Sequence, residues 1–79
     1  MSLIRGTPAP DGSSLLVSRD YDDYRLDIYY CPFDRNRYAH FHLKEQSQGR
    51  VPDLHSRPHD LAAEIGQPPV KYWAVFDRQ

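Results

Sequence analysis

A chain of 79 residues with 39% hydrophobic and 27% charged residues fits one small globular domain and leaves no room for a second. Its net charge of −1 favours neither a nucleic-acid binder, which usually carries a basic surplus, nor an acidic mimic of DNA. Cys31 is the single cysteine, which excludes an intramolecular disulfide and a four-cysteine zinc site.

The first twelve residues are predicted to be an irregular N-terminal arm. Residues 7–12 contain two prolines and a glycine, which disfavour a regular element. Residues 13–79 are then expected to form the single domain. The start of the chain lacks the apolar run of a signal peptide, and no stretch approaches the roughly 20 apolar residues that a membrane span needs. The sequence therefore predicts a cytoplasmic protein without a membrane segment.

Three strands come next and are predicted to pair as an antiparallel meander. The first covers residues 13–19, and the polar turn of residues 20–23 leads to the second, residues 24–31. Residues 32–37 hold Pro, Asp and Asn, which predicts a hairpin connection to the third strand, residues 38–44. Apolar and polar residues alternate in the second and third strands, so each strand has one apolar face. Short connections favour antiparallel neighbours.

A short helix and a fourth strand complete the predicted order β-β-β-α-β. Ser56 is expected to cap the start of the helix, and Gly66 is expected to follow its end. The fourth strand covers residues 70–76, and either alternate set of its side chains can pack inward. The predicted fold is an α+β domain with the helix on one face of the sheet. The face toward the helix is predicted to carry Leu15, Val17, Tyr24, Leu26, Ile28, Tyr30, Ala39, Phe41 and Leu43.

The opposite face of the predicted sheet has no element to cover it. Exposed aromatic surface often marks a binding site, although Tyr and His also form half-exposed strands well. A second copy of the chain, as in a homodimer, is an alternative occupant of this face. The face is predicted to carry Arg25, Asp27, Tyr29, Tyr38, His40 and His42.

The polar turn before the second strand has a binding potential of its own. Tyr21 lies among acidic residues, with Asp20 before it and Asp22 and Asp23 after it. Such a turn could engage an Arg- or Lys-lined groove of a partner, with Tyr21 as the anchor, because Tyr and Arg are typical interface hot spots. A solvated turn without a partner is the alternative interpretation.

Four histidines raise the question of a metal site. His40 and His42 lie about 6–7 Å apart along one strand face, and His55 and His59 follow in the loop and the helix. Two histidines in an H-x-H pair can supply two of the ligands of a metal site. Because Pro58 interrupts the helical spacing of the second pair, surface histidines are the preferred interpretation, and neither a metal nor a cofactor is expected.

Catalytic motifs are missing from the sequence. It has no glycine-rich phosphate loop, no nucleophile elbow and no recognisable carboxylate pair. Cys31 with His40 or His42 could imitate a thiol–imidazole pair, but a lone cysteine is more often a small apolar filler. The sequence therefore predicts a protein that is not an enzyme.

In size, in the lack of a catalytic motif and in the abundance of aromatic residues, the chain resembles the small inhibitor proteins of phages and mobile elements, anti-CRISPR proteins among them. The resemblance is one of general character and aligns no residue. It implies a non-catalytic protein-binding module that sterically blocks a partner's working surface. Single-stranded nucleic-acid binding through the aromatic face and histidine-based metal binding are the alternatives. The predicted partner-binding residues are Tyr21, Asp22, Asp23, Tyr29, Tyr38, His40 and His42.

Overall fold

The computed structural model describes residues 4–45, 54 and 56–77. Within them the chain forms one five-stranded sheet and one helix. The elements are β1 (Ile4–Gly6), β2 (Ser14–Asp20), β3 (Tyr24–Tyr30), β4 (Arg37–Leu43), α1 (Ser56–Glu64) and β5 (Tyr72–Phe76). Across the sheet the strands follow the order β1-β5-β4-β3-β2.

Strands β2, β3 and β4 form the antiparallel meander that the sequence predicts. Both connections are closed by backbone hydrogen bonds. The Tyr21 N–H donates to the Tyr24 carbonyl (2.8 Å) between β2 and β3, and the Cys31 N–H donates to the Asn36 carbonyl (3.0 Å) between β3 and β4. Tight turns of this kind place consecutive strands side by side.

Strand β5 lies beside β4 and runs parallel to it. A parallel neighbour needs a crossover connection, and α1 is part of that connection. The predicted fourth strand is therefore confirmed. It makes the sheet a mixed one, because the other neighbouring strands are antiparallel.

Strand β1 is a fifth strand that lies within the segment predicted to be irregular. It pairs antiparallel with β5, with Ile4 opposite Phe76 and Gly6 opposite Ala74. The Thr7 N–H extends this pairing by donating to the Trp73 carbonyl (2.8 Å). Three residues are too few for a periodic pattern, so the sequence carries no signal for this strand.

The core lies between the sheet and α1, on the face that the alternation in β3 and β4 predicts. Leu26 and Phe41 are completely buried there, and Leu61 of α1 packs over them. Tyr30, also predicted in the core, is instead half-buried beneath the guanidinium of Arg37. The buried cluster consists of Tyr24, Leu26, Ile28, Ala39, Phe41, Leu43, Leu61, Ala62 and Val75.

The structure decides which side chains of β5 face the helix. Trp73 and Val75 pack against the core cluster. Because side chains alternate along a strand, Tyr72, Ala74 and Phe76 lie on the opposite face. Two aromatic residues of β5 are thereby added to the face that the sequence analysis singled out for binding.

The prediction that Leu15 faces the core is wrong, since the residue is 54% exposed. The pairing of β2 with β3 shifts by one residue, so that Leu15 is opposite Tyr29 while Val17 is opposite Ile28. This bulge turns Leu15 away from the helix, whereas Leu16 and Val17 both contact the core. A bulge of one residue has no signature in the apolar pattern of β2.

The helix ends as the sequence predicts. Gly66 adopts a left-handed conformation with φ 74°. The Gln67 N–H donates to the Ala62 carbonyl (2.9 Å), and the Gly66 N–H donates to the Ala63 carbonyl (3.1 Å). These two bonds form a Schellman motif, which satisfies carbonyls that the helix itself leaves without a donor.

Replacing Gly6 with Ala is expected to lower the free energy of unfolding by about 2–5 kcal/mol, from the left-handed backbone penalty and overpacking together. Gly6 has φ 89°, and a Cβ there would lie 2.3 Å from the Trp73 carbonyl oxygen. Gly66→Ala is the matched control, because its φ is 74° and no described atom lies within 4 Å of the added carbon. Urea denaturation measures both variants, and equal losses would contradict the importance of the close approach between β1 and β5.

Candidate functional site

The sheet face opposite α1 carries two histidines of β4 among aromatic side chains, and we call it the histidine face. His40 lies opposite Asp27 of β3 and opposite Ala74 of β5, so the three side chains share this face. The described residues of the histidine face are Arg25, Asp27, Tyr29, Tyr38, His40, His42, Tyr72, Ala74 and Phe76.

Residues 7–13, which we call the strap, cross the histidine face. They connect β1 at one edge of the sheet to β2 at the other. The four interstrand spacings between these edges amount to roughly 19 Å, so the strap must cross the whole width of the sheet. It is not extended throughout, because residues 10–13 form a turn that the Ser13 N–H closes on the Pro10 carbonyl (3.2 Å). The Ala9 N–H donates to Nε2 of His40 (2.9 Å), so the strap takes the histidine face and not the helix face.

The sequence of the strap suits this path. Pro8 and Pro10 have no N–H, and their rings favour an extended backbone. Ala9 therefore carries the one backbone donor between them, and that donor is satisfied by an imidazole. The prolines that led to the prediction of an irregular arm are the residues that allow the arm to lie across a sheet without unsatisfied donors.

The predicted partner-binding residues of the histidine face differ in their exposure. Tyr38 is 4% exposed and His40 is 9% exposed, so the expectation of an uncovered face is wrong for these two side chains. Tyr29 is half-buried, and the side chain of His42 is 33% exposed. The role of these four residues in binding a partner stays a prediction.

Strand β5 adds an aromatic partner to both histidines. The Phe76 ring centroid lies 4.9 Å from that of His40 and 4.8 Å from that of His42, and it is nearly parallel to the latter ring. The Tyr29 ring lies 4.6 Å from His40 on the side of β3. The imidazole of His40 is thus enclosed by two rings within the sheet and by Ala9 of the strap.

Asp27 is a buried carboxylate, 3% exposed, next to the histidines. The Ser18 hydroxyl donates to its Oδ1 (2.5 Å), and Nη2 of Arg25 donates to its Oδ2 (3.3 Å). Nε2 of His42 lies 3.4 Å from the same Oδ2. A buried carboxylate needs such partners, because its removal from water is otherwise unfavourable. Sequence reasoning missed Ser18, which reaches Asp27 because the two residues are paired across β2 and β3.

Burial lowers the pKa of both histidines. For His40 the loss of hydration is the largest cause, His42 adds to it and Asp27 opposes it, which brings the pKa to about 4. For His42 the loss of hydration is again first, followed by Arg25, and Asp27 again opposes. At neutral pH both rings are therefore mainly uncharged. Since Nε2 of His40 accepts a hydrogen bond, the ring proton lies on Nδ1.

The histidines are not arranged as a metal centre in the described part of the chain. No group of three or more His, Cys, Asp or Glu side chains among the described residues is placed to hold a metal ion. Nε2 of His40 already accepts from Ala9, and His59 is exposed on α1. His55 lies outside the described residues. The metal-binding alternative gains no geometric support from these positions.

Cys31 does not offer a reactive thiol on the surface. It follows the last residue of β3 and is 1% exposed. This position agrees with the interpretation of Cys31 as a small apolar filler.

The second candidate surface is the connection between β2 and β3, residues 20–24, which we call the acidic turn. The ammonium of Lys44 donates to the Tyr21 carbonyl (2.8 Å) and lies 3.2 Å from the Asp20 carboxylate. The Lys44 backbone N–H donates to the Asp23 carbonyl (2.9 Å). The residue after β4 therefore holds the acidic turn in one conformation.

A cavity of about 320 Å³ opens between the acidic turn and the start of α1. The guanidinium of Arg57 lies over the Tyr21 ring, 4.2 Å from its centroid, in a cation–π contact. Sequence reasoning missed Arg57, because only the folded chain brings the first turn of α1 to the turn before β3. The cavity is lined by Asp20, Tyr21, Asp22, Asp23, Tyr24 and Arg57.

No protein-family model matches this chain, and no match was found among curated proteins or among solved structures. In the part of the chain that the structure describes, no helix combines the length and the apolar character that crossing a membrane requires. Function must therefore be inferred from the chemistry of the histidine face and the acidic turn.

Tyr38 has partners that account for its burial. Its hydroxyl donates to Oδ2 of Asp34, and its ring stacks on Tyr72 with 5.0 Å between centroids. The hydrogen bond to Asp34, together with burial, raises the pKa of Tyr38 to about 12. The same bond is the main cause that lowers the pKa of Asp34.

Tyr38→Phe is expected to flatten the dependence of stability on alkaline pH. The folded-state pKa of Tyr38 is about 12, against about 10 in an unfolded chain. Its contribution is therefore complete below pH 10 and is lost as the pH rises toward 12. Thermal denaturation between pH 10 and 12 should show a steeper fall in Tm for the wild type than for Tyr38→Phe. An unchanged slope in Tyr38→Phe would refute this role.

Proposed function

We propose that this protein is a non-catalytic protein-binding module whose acidic turn receives a basic segment of a partner protein. The observation that supports the proposal is the Arg57 guanidinium over the Tyr21 ring, in a cavity that also carries the carboxylates of the turn. Aromatic faces and carboxylates both attract planar cations. The contact between Arg57 and Tyr21 shows that this turn can hold a guanidinium, and we expect an arginine of the partner to bind in a similar way.

The charges of the acidic turn leave capacity for such a partner. Asp20 pairs with Lys44. Within the described part of the chain, neither the Asp22 nor the Asp23 carboxylate forms an ion pair, and Asp22 is exposed. A partner's Arg or Lys can therefore pair with these two carboxylates without displacing a cation of the described residues. Tyr21, half-buried beside them, supplies the apolar contact that an interface hot spot needs.

The mode of action that we propose is steric. The module occupies a basic surface of its partner and keeps other ligands away from that surface, with no chemistry of its own. This is the mode that the general resemblance to small inhibitor proteins of phages and mobile elements implies. It requires a rigid turn, which the two hydrogen bonds from Lys44 support.

Single-stranded nucleic acid is less well supported as the ligand. Bases stack on aromatic rings that have an open face. Tyr38 is buried and stacked on Tyr72, Tyr29 packs against His40, and Trp73 packs against the core. Binding on the histidine face would first require the strap to move.

The double variant Asp22→Asn/Asp23→Asn is expected to weaken binding of an arginine-rich peptide by about tenfold at low salt. The two lost pairs contribute up to about 1 kcal/mol each at a surface, and about 1.4 kcal/mol corresponds to tenfold. A fluorescein-labelled peptide of alternating Arg and Gly is the probe, and fluorescence anisotropy is the measurement. A labelled peptide of alternating Glu and Gly should not bind.

Asp11→Asn/Asp60→Asn is the matched control, because it removes two exposed carboxylates outside the acidic turn and changes the net charge equally. It should bind the arginine peptide as the wild type does. If both double variants bind the arginine peptide equally more weakly than the wild type, the effect is due to overall charge and the proposal is refuted. Affinity capture from the native host should then show a protein that the wild type and the control retain and that Asp22→Asn/Asp23→Asn loses.

A further inference from the structure

The strap is attached to the histidine face at one point. Among the described hydrogen bonds, the bond from the Ala9 N–H to Nε2 of His40 (2.9 Å) is the one that joins the middle of the strap, residues 8–12, to the sheet. The other bonds of this part of the strap run within it, from the N–H and the hydroxyl of Ser13 to the Pro10 carbonyl. Pro8, Pro10, Asp11 and Gly12 are exposed, and the ring beside Gly12 is that of Phe33, which is itself 79% exposed.

The attachment depends on an uncharged His40. Nε2 can accept the Ala9 N–H only through its lone pair, and a protonated imidazole has a donor on both nitrogens. Once protonated, Nε2–H and the Ala9 N–H would face each other at hydrogen-bonding distance. Two donors cannot bond each other, so the hydrogen bond between Ala9 and His40 would be lost.

The groups that face His40 come from three strands and the strap. Strand β3 contributes the Asp27 carboxylate, the Tyr29 ring and, beyond Asp27, the Arg25 guanidinium. Strand β4 contributes His42 and Tyr38, and β5 contributes the uncharged Phe76 and Ala74. The strap contributes the Ala9 N–H, and Asp11 is its one charged residue. Asp27 favours the imidazolium form of His40, whereas His42 and burial oppose it.

We propose that the strap is a releasable cover of the histidine face, which detaches when Nε2 of His40 takes up a proton and the Ala9 N–H loses its acceptor. The detached strap uncovers the imidazole of His40, which lies between the rings of Tyr29 and Phe76. The device is independent of the acidic turn, which lies between β2 and β3, so either proposal can fail without the other.

The direction of the pH dependence follows from linkage. The pKa of His40 is about 4 with the strap in place, below the ordinary value of about 6.5 that an exposed histidine has. The closed arrangement is therefore fully favoured above pH 6.5, and it loses stability relative to the open one as the pH falls toward 4. The strap is released between about pH 6.5 and pH 4, because over this range His40 is protonated more readily in the open form than in the closed form.

An NMR titration of the wild-type protein from pH 7.5 to pH 3.5 tests the proposal. The Ala9 amide signal should shift as its hydrogen bond is lost, with the same midpoint as the His40 ring signals. Signals of Tyr29 and Phe76 should become more sensitive to a soluble paramagnetic agent, while the Leu26 and Ile28 amides stay protected from hydrogen exchange. An Ala9 signal that does not follow His40, or that moves only when Leu26 and Ile28 lose protection, would overturn the proposal.

Two glutamine variants separate His40 from its neighbours. His40→Gln keeps a side-chain acceptor but cannot titrate, so its Ala9 signal should be constant down to pH 4. His42→Gln removes the neighbour that lowers the pKa of His40, so release should persist with a midpoint at higher pH. A strap that opens in His40→Gln with the wild-type midpoint would assign the transition to other groups and overturn the proposal.

Ala9→Pro provides a test that does not alter the histidine. It removes the donor from the strap, so at pH 7 the Tyr29 and Phe76 signals should be as sensitive to the paramagnetic agent as those of the wild type at pH 4. A face that remains covered at pH 7 in Ala9→Pro would show that the Ala9 bond does not hold the strap, and the proposal would fail.

Discussion

A β-sheet has two faces, and both must be covered or made compatible with water if the sheet is to be stable as one small domain. In this protein a helix of nine residues covers one face. The other is crossed by the strap, whose hydrogen bond from Ala9 to His40 is the contact that places it there. His40 is buried among the Tyr29 and Phe76 rings as well, and this burial lowers its pKa and favours the neutral ring that can accept the bond.

The two faces are stabilised by different chemistry. Against α1 the sheet buries aliphatic and aromatic side chains, for which packing and removal from water are sufficient. On the histidine face it buries a carboxylate and an imidazole, which need hydrogen-bond partners. Ser18 and Arg25 satisfy Asp27, and Ala9 satisfies His40. A polar face can change its protonation state, whereas an apolar face cannot, so any response to pH is expected on the side of the strap.

The two proposals concern two places in the fold. The acidic turn joins carboxylates to a tyrosine ring that already holds a guanidinium, and we propose that it receives a basic protein segment. The histidine face is proposed to become accessible when the strap detaches. Two of the aromatic residues on that face, Tyr72 and Phe76, come from β5, so the C-terminal strand contributes to the histidine face as well as to the core.

The sequence by itself determined the features that depend on neighbours along the chain. Alternation placed His40 and His42 on one face, and Gly66 marked the end of α1, because strand periodicity and helix termination are local properties. Only the tertiary structure decided the features that join distant segments. The strap over His40, Arg57 over Tyr21 and the bulge at Leu15 each depend on contacts or registers that no local pattern encodes. The irregular arm was predicted from its prolines, but its position across the sheet follows from the distance between β1 and β2, which exists only once the five strands have assembled.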